Sequence, residues 1–183
     1  MEECYNEAMK KSKIAYTIVA PSSADAQILG EINAENWREV YPNEALGVTK
    51  EWVDRVATLR EGAEKNKQRA EQITDSLHPD SLHFWKVARL PNRQIIGFIQ
   101  GRKKDGVQEL HGLHIIRQYR GNGIGQDLMD ALLKWFDPAK PIIVDVASFN
   151  NKAIQFYAKN GFKPTGHTYH YELLPMTRMS TRM

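Results

Sequence analysis

Cysteine is almost absent from this chain. Cys4 is alone among 183 residues, so no internal disulfide can form and no cysteine-based zinc site can be built. No apolar run comes near the roughly 18 residues that a membrane-spanning helix needs. The opening residues, Met1-Glu2-Glu3-Cys4-Tyr5-Asn6-Glu7, are acidic and lack the basic start and apolar middle of a secretory leader. A cytoplasmic protein with no membrane partner is expected. Charge of one sign is also missing: the formal net charge is +3, with acidic and basic residues interleaved, which leaves no footprint for nucleic acid. There is no internal repeat and no low-complexity linker. Apolar residues make up 42% and charged residues 26%, ordinary for a globular chain. The length suits a single domain with one core.

Glycine is present where it is informative. Arg120-Gly121-Asn122-Gly123-Ile124-Gly125 joins an apolar segment ending at Ile115-Ile116 to an amphipathic run that begins at Gln126. Glycine admits left-handed backbone angles and close approach of a ligand. The first amides of a helix have no internal partner and can point at an anion, so the segment reads as a phosphate cradle. It is not a nucleotide P-loop, because Gln126-Asp127 stand where Lys and Ser or Thr are needed. Nor is it the dinucleotide fingerprint, whose sixth position falls on Gln126 or Leu128 instead of glycine. The spacing that does fit is Arg120-x-x-Gly123-x-Gly125.

A second segment follows a strand-like run, Pro141 to Ala147. In Asn150 to Phe162, Asn150 can cap a short helix, Ile154, Tyr157 and Ala158 share one face, Lys152, Gln155 and Lys159 another, and Gly161 stops it. The two segments, in this order and separated by a helix and a strand, resemble motifs A and B of the GNAT superfamily of acetyl-CoA-dependent N-acetyltransferases. The resemblance spans Ile14 to Met179 and is specific from Gln108 to Phe162.

The expected fold is therefore α/β, the GNAT acyl-CoA N-acyltransferase fold, a mixed, mostly antiparallel sheet of about six to seven strands flanked by about four helices. Residues 1–183 form one domain, with an N-terminal extension at 1–13, an acceptor-side half at 14–107 and an acetyl-CoA-binding half at 108–183. Ile14 to Val19 reads as the first strand, and Ser22 or Ser23 can cap a helix carrying Ile28, Leu29, Ile32 and Asn36. Trp37 to Gly47 is turn-like. Thr49 to Ile73 reads as one long helix, apolar at Trp52, Val53, Val56 and Leu59, and polar all round from Glu61 to Gln72, where it projects into solvent or meets a partner. Leu82 to Leu90, Gln94 to Arg102 and Val107 to Ile116 are hairpin-like strands. The helix after the glycines carries Leu128, Met129, Leu132, Leu133 and Phe136 toward the core.

Acyl transfer to an amine needs a proton acceptor for the nitrogen, a polarised carbonyl and a proton for the departing thiolate. The period of the strand puts Glu109, His111, Leu113 and Ile115 on one face. The resemblance implies Glu109 as base, with His111 the alternative, and Tyr157 as proton donor to the thiolate. It implies that amides of Arg120, Gly121, Asn122, Gly123, Ile124 and Gly125 hold the pyrophosphate, and that backbone groups near Leu113, His114 and Ile115 pair with the pantetheine arm and polarise the thioester. Asn150 contacts that arm, caps its helix, or does both. The acceptor, a small amine, a polyamine or a protein amine, is implied at Trp37, Tyr41 and Glu44 and at Tyr169 to Met176, where aromatics beside carboxylates suit a cation. No metal is expected, since His111/His114 and His167/His170, three apart on a strand, point to opposite faces. A homodimer is expected. A CoA-binding sensor or interaction module without catalysis, and acylation of a hydroxyl, stay open.

Overall fold

The computed structural model describes residues 14–182; the extension expected at 1–13 lies outside the described residues. Its order is β1 (Thr17–Val19), α1 (Ala26–Val40), α2 (Lys50–Glu61), α3 (Ala63–Asp75), β2 (His83–Arg89), β3 (Ile95–Lys104), β4 (Val107–Ile115), α4 (Ile124–Trp135), β5 (Ile142–Ala147), α5 (Asn151–Lys159), β6 (Lys163–Tyr171) and β7 (Leu174–Ser180). The seven strands form one sheet in the order β1-β2-β3-β4-β5-β7-β6. Among the described residues only β4 and β5 run parallel; the other neighbours are antiparallel. Among the described residues no helix is long and apolar enough to cross a membrane.

Five α-helices stand among the described residues, against about four expected, because the pattern from Thr49 to Ile73 breaks at Gly62, which takes an extended conformation with ψ 157° and starts α3 as its cap. The polar helix does not project into solvent. Ile73 is fully buried against Trp85 and Val87. Arg69 donates to the carbonyls of Ala26 and Arg60 at 3.0 and 2.9 Å. A guanidinium that satisfies carbonyl groups lets a helix of low hydropathy dock without an apolar stripe. Two further expectations shift: Trp37 belongs to the last turns of α1, and Leu59 is 65% exposed while Arg60, one residue on, turns inward.

Two layers of helix cover the sheet. On one face Leu128, Met129 and Leu132 of α4 pack with Phe136 on Ile96, Ile99 and Leu110, and α5 adds Tyr157. Removing one fully buried leucine from such a stripe costs about 2–5 kcal/mol. On the other face Leu29 and Ile32 of α1 lie with Ile73 over Trp85, Val87 and Phe98. A third cluster joins Trp37 to Trp52, Val53 and Val56 of α2 and to Leu174 of β7. α1 and α2 are thereby anchored to the far half of the sheet.

Candidate active site

The site begins with an irregularity in β4. Gln100 pairs with Gly112 and Gly101 with Leu110, so His111 is an extra residue, a β-bulge. The bulge reverses the alternation. Leu110, Leu113 and Ile115 face the α4 core, whereas Gly112 and His114 face α1, where His114 lies 4.9 Å from Phe98. The expected single face of Glu109, His111, Leu113 and Ile115 is therefore broken. His111 and His114 instead line one cavity, against the expectation that they point apart. Among the described residues no group of three or more metal-ligating side chains forms.

Beyond the bulge the central strands separate. β5 pairs with β4 only at Gln108↔Ile142 and Glu109↔Ile143 and continues along β7. The backbone of Leu110 to Ile115 thus has no ladder partner on its β5 side among the described residues. A cavity of about 290 Å³ fills the split. Its walls bring together Trp37, Tyr41, Glu109, His111, Leu113, His114, Asn150, Tyr157 and Tyr169.

The glycine loop closes one end of β4 through a short helical turn at Arg117–Tyr119. Gly121 and Gly123 have φ of 78° and 85°, left-handed angles that a side chain disfavours. Gly123 caps α4. The amides of Gly121, Asn122, Gly123, Ile124 and Gly125 have no backbone acceptor among the described residues, whereas Gln126 and Asp127 bond back to Gly123. Five free donors at the positive end of a helix suit a pyrophosphate. Arg120 has another use. Its amide bonds the Arg117 carbonyl at 3.2 Å, and its guanidinium binds the Ile115 carbonyl, Glu39 and Asn36, tying the strand end to α1.

Glu109 is held as an anion. Burial, the largest influence, pushes its pKa up, but hydrogen bonds from His111 and Arg102 and their charges together outweigh it and bring the carboxyl to about 2. Arg102 Nε donates to it at 2.6 Å, and His111 Nδ1 lies 3.4 Å from its other oxygen. Tyr157 is nearly buried, and burial raises its phenol well above the ordinary value. Its hydroxyl has no protein hydrogen-bond partner among the described residues. Burial, with help from the charge of Arg60, lowers His114 to about 3 and keeps it neutral.

Asn150 caps α5, its Oδ1 accepting from the Ala153 amide at 3.2 Å, and also lines the cavity. Tyr169 donates to Asp145 at 3.0 Å, and Arg178 clamps that carboxylate with two bonds of 2.8 Å. Trp37 meets Tyr41 edge-on at 4.5 Å and Tyr171 at 6.2 Å. Glu44 does not line the cavity; it binds the Lys50 amide. Sequence reading missed Arg60, whose guanidinium carbon lies 3.8 Å over the Trp37 ring. A signal existed: Val53, Val56, Ala57 and Arg60 follow the helical spacing of one face, and the first three are buried.

A family model described as the acetyltransferase (GNAT) family matches residues 30–162. No curated protein matches the chain. Among solved structures, the PaiA N-acetyltransferase from Thermoplasma acidophilum in complex with coenzyme A superposes with a TM-score of 0.72 at 21% identity, covering 93% of this chain and 100% of that one. Ard1 from Thermoplasma volcanium gives 0.63 at 20% identity, with 91% and 97% covered. The spermidine/spermine N-acetyltransferase SpeG from Vibrio cholerae, with manganese ions, gives 0.59 at 18% identity, with 90% and 91% covered. These likenesses share a fold, and the model spans most of the sequence from α1 through α5, so this chain belongs to the GNAT family of acetyltransferases.

Proposed function

We propose that this protein transfers the acetyl group of acetyl-CoA to the nitrogen of a small amine, by direct attack while both are bound. The observation that carries this reading is the split between β4 and β5, with unpartnered amides in the loop that follows β4 and Tyr157 in the wall of the split. The amides of Gly121 to Gly125 take the pyrophosphate. The unpaired edge of β4 accepts the pantetheine arm as a substitute strand, and an N–H of that edge polarises the thioester carbonyl.

The amine must lose a proton to attack. Glu109, held near pKa 2, is too weak a base to take it efficiently at neutral pH. His111 stands on the bulge, lines the cavity and touches Glu109 through Nδ1, an arrangement in which the carboxylate orients the imidazole. His111 therefore takes the proton, directly or through water. The nitrogen bonds to the carbonyl carbon, the C–S bond breaks, Tyr157 gives its proton to the sulfur, and the second proton that the nitrogen sheds in becoming an amide returns through water to the Tyr157 oxygen.

The reading is tested by titrating acetyl-CoA calorimetrically and by following thiol release with amines, with the amide product identified by mass spectrometry. Binding with amide formation supports it. Binding without turnover across the panel supports a non-catalytic CoA-binding role, and no binding rejects both.

A further inference from the structure

The charges around the cavity do not balance. Its two carboxylates are committed, Glu109 to Arg102 and Asp145 to Arg178. Arg60 lies in the same wall, stacked on Trp37. Among the described residues its Nε has no hydrogen-bond partner, and no carboxylate reaches its guanidinium within ion-pair distance. A second cavity of about 390 Å³ adjoins the first, sharing Asn33, Arg60, Gln100, His111 and Tyr171. Its wall adds Lys65 and Arg69 and contains no aspartate or glutamate. Lys65 bonds the Gln68 oxygen, and Arg69 bonds two carbonyls and the Asn66 side chain, so both have only neutral partners. The buried Oδ1 of Asn33, in the shared wall, also lacks a partner.

A cation held out of water without a counter-charge is costly, and an incoming anion relieves that cost. The stack on Trp37 offsets part of it. It also occupies the aromatic surface that a cationic acceptor would use. A polycation entering here would meet Arg60, Lys65 and Arg69 with no free carboxylate to hold it. The planar fork of arginine suits a carboxylate, which it can bind through two parallel hydrogen bonds.

We propose that the acetyl acceptor is a small amine that also bears a carboxylate, an amino-acid-like molecule whose carboxylate docks on Arg60 while its nitrogen faces His111. This rests on the acetyl-transfer reading above and names its substrate class.

The experiment compares acceptors that share an amine and differ in the anion: L-α-amino acids, their carboxamides, the decarboxylated amines, 2-aminoethylphosphonate and spermidine. Thiol release is measured with the wild type, Arg60→Gln and Arg60→Lys, and calorimetric binding of the same amino acids to the acetyl-CoA-saturated protein is followed in parallel. The expected result is a kcat/KM for at least one amino acid about ten-fold or more above its carboxamide. Arg60→Gln removes that preference and Arg60→Lys keeps part of it, while both variants retain acetyl-CoA affinity and the wild-type circular dichroism spectrum. Equal or better turnover of carboxamides, decarboxylated amines or spermidine overturns the proposal and leaves acetyl transfer standing. A preference that survives Arg60→Gln, or one for the phosphonate, also overturns it. Amino-acid binding that is lost in Arg60→Gln, without any turnover, upholds the anion site and removes the transfer reading. The absence of both binding and turnover overturns the proposal.

Discussion

At the scale of single residues, Glu109 and His111 divide one task, and their variants separate the roles. His111→Ala is expected to lower kcat/KM by about 10² to 10⁴, the usual share of a general base. Glu109→Gln costs less. The reverse pattern in steady-state kinetics would make Glu109 the proton acceptor. Glu109 also has a stability signature. Its folded-state pKa is depressed from 4.5 to about 2, so its contribution is complete above pH 4.5 and is lost as pH falls toward 2. Thermal melts should show Glu109→Gln below the wild type at pH 7, with the gap closing on acidification. A gap that is constant with pH would mean that the Arg102 and His111 contacts do not hold the carboxylate in its charged form.

At the scale of elements, the glycine loop and β4 build the site by giving up regular hydrogen bonding. Gly123→Ala forces a side chain into a left-handed residue, φ 85°, at a cost of about 1–2 kcal/mol. The expected outcome is a lower midpoint in urea and weaker acetyl-CoA binding, since the same backbone aims the free amides. Unchanged affinity in calorimetry would remove the loop from the pyrophosphate site. Much of this level was legible in the sequence. Gly121 and Gly123 mark the loop before α4 because few other residues allow its left-handed backbone, and Asn150 marks the start of α5 because its side chain caps that helix. The bulge at His111 was not legible. A run such as Glu109-Leu110-His111-Gly112-Leu113 alternates correctly on paper, and the extra residue shows only when β3 supplies the register. The break at Gly62 and the docking of α3 were hidden for a related reason: Arg69 buries itself by bonding carbonyl groups of distant elements, which no periodicity reports. Arg60 lay on the apolar spacing of α2 yet reads as a surface charge, because arginine is seldom buried without a partner.

At the scale of the whole molecule, the two halves of the sheet meet only at Gln108 and Glu109 along β4 and β5, so a ligand that fills the split should brace them. Binding to the folded state alone adds about 2.7 kcal/mol at a hundred times Kd, which for a domain of this size corresponds to a rise in Tm of roughly 5–10 °C. Differential scanning fluorimetry with acetyl-CoA checks this, and hydrogen exchange should show new protection between Leu110 and Ile115. A shift in Tm without that protection would place the ligand elsewhere. The most direct test of acetyl transfer is the steady-state release of CoA thiol by the wild type and Tyr157→Phe with one acceptor, each protein first titrated with acetyl-CoA. The expected result is equal acetyl-CoA affinity and a kcat lower by about 10² or more in the variant. Equal turnover by the two proteins would contradict the proton-donor role of Tyr157, and with it the chemistry assigned to the split between β4 and β5.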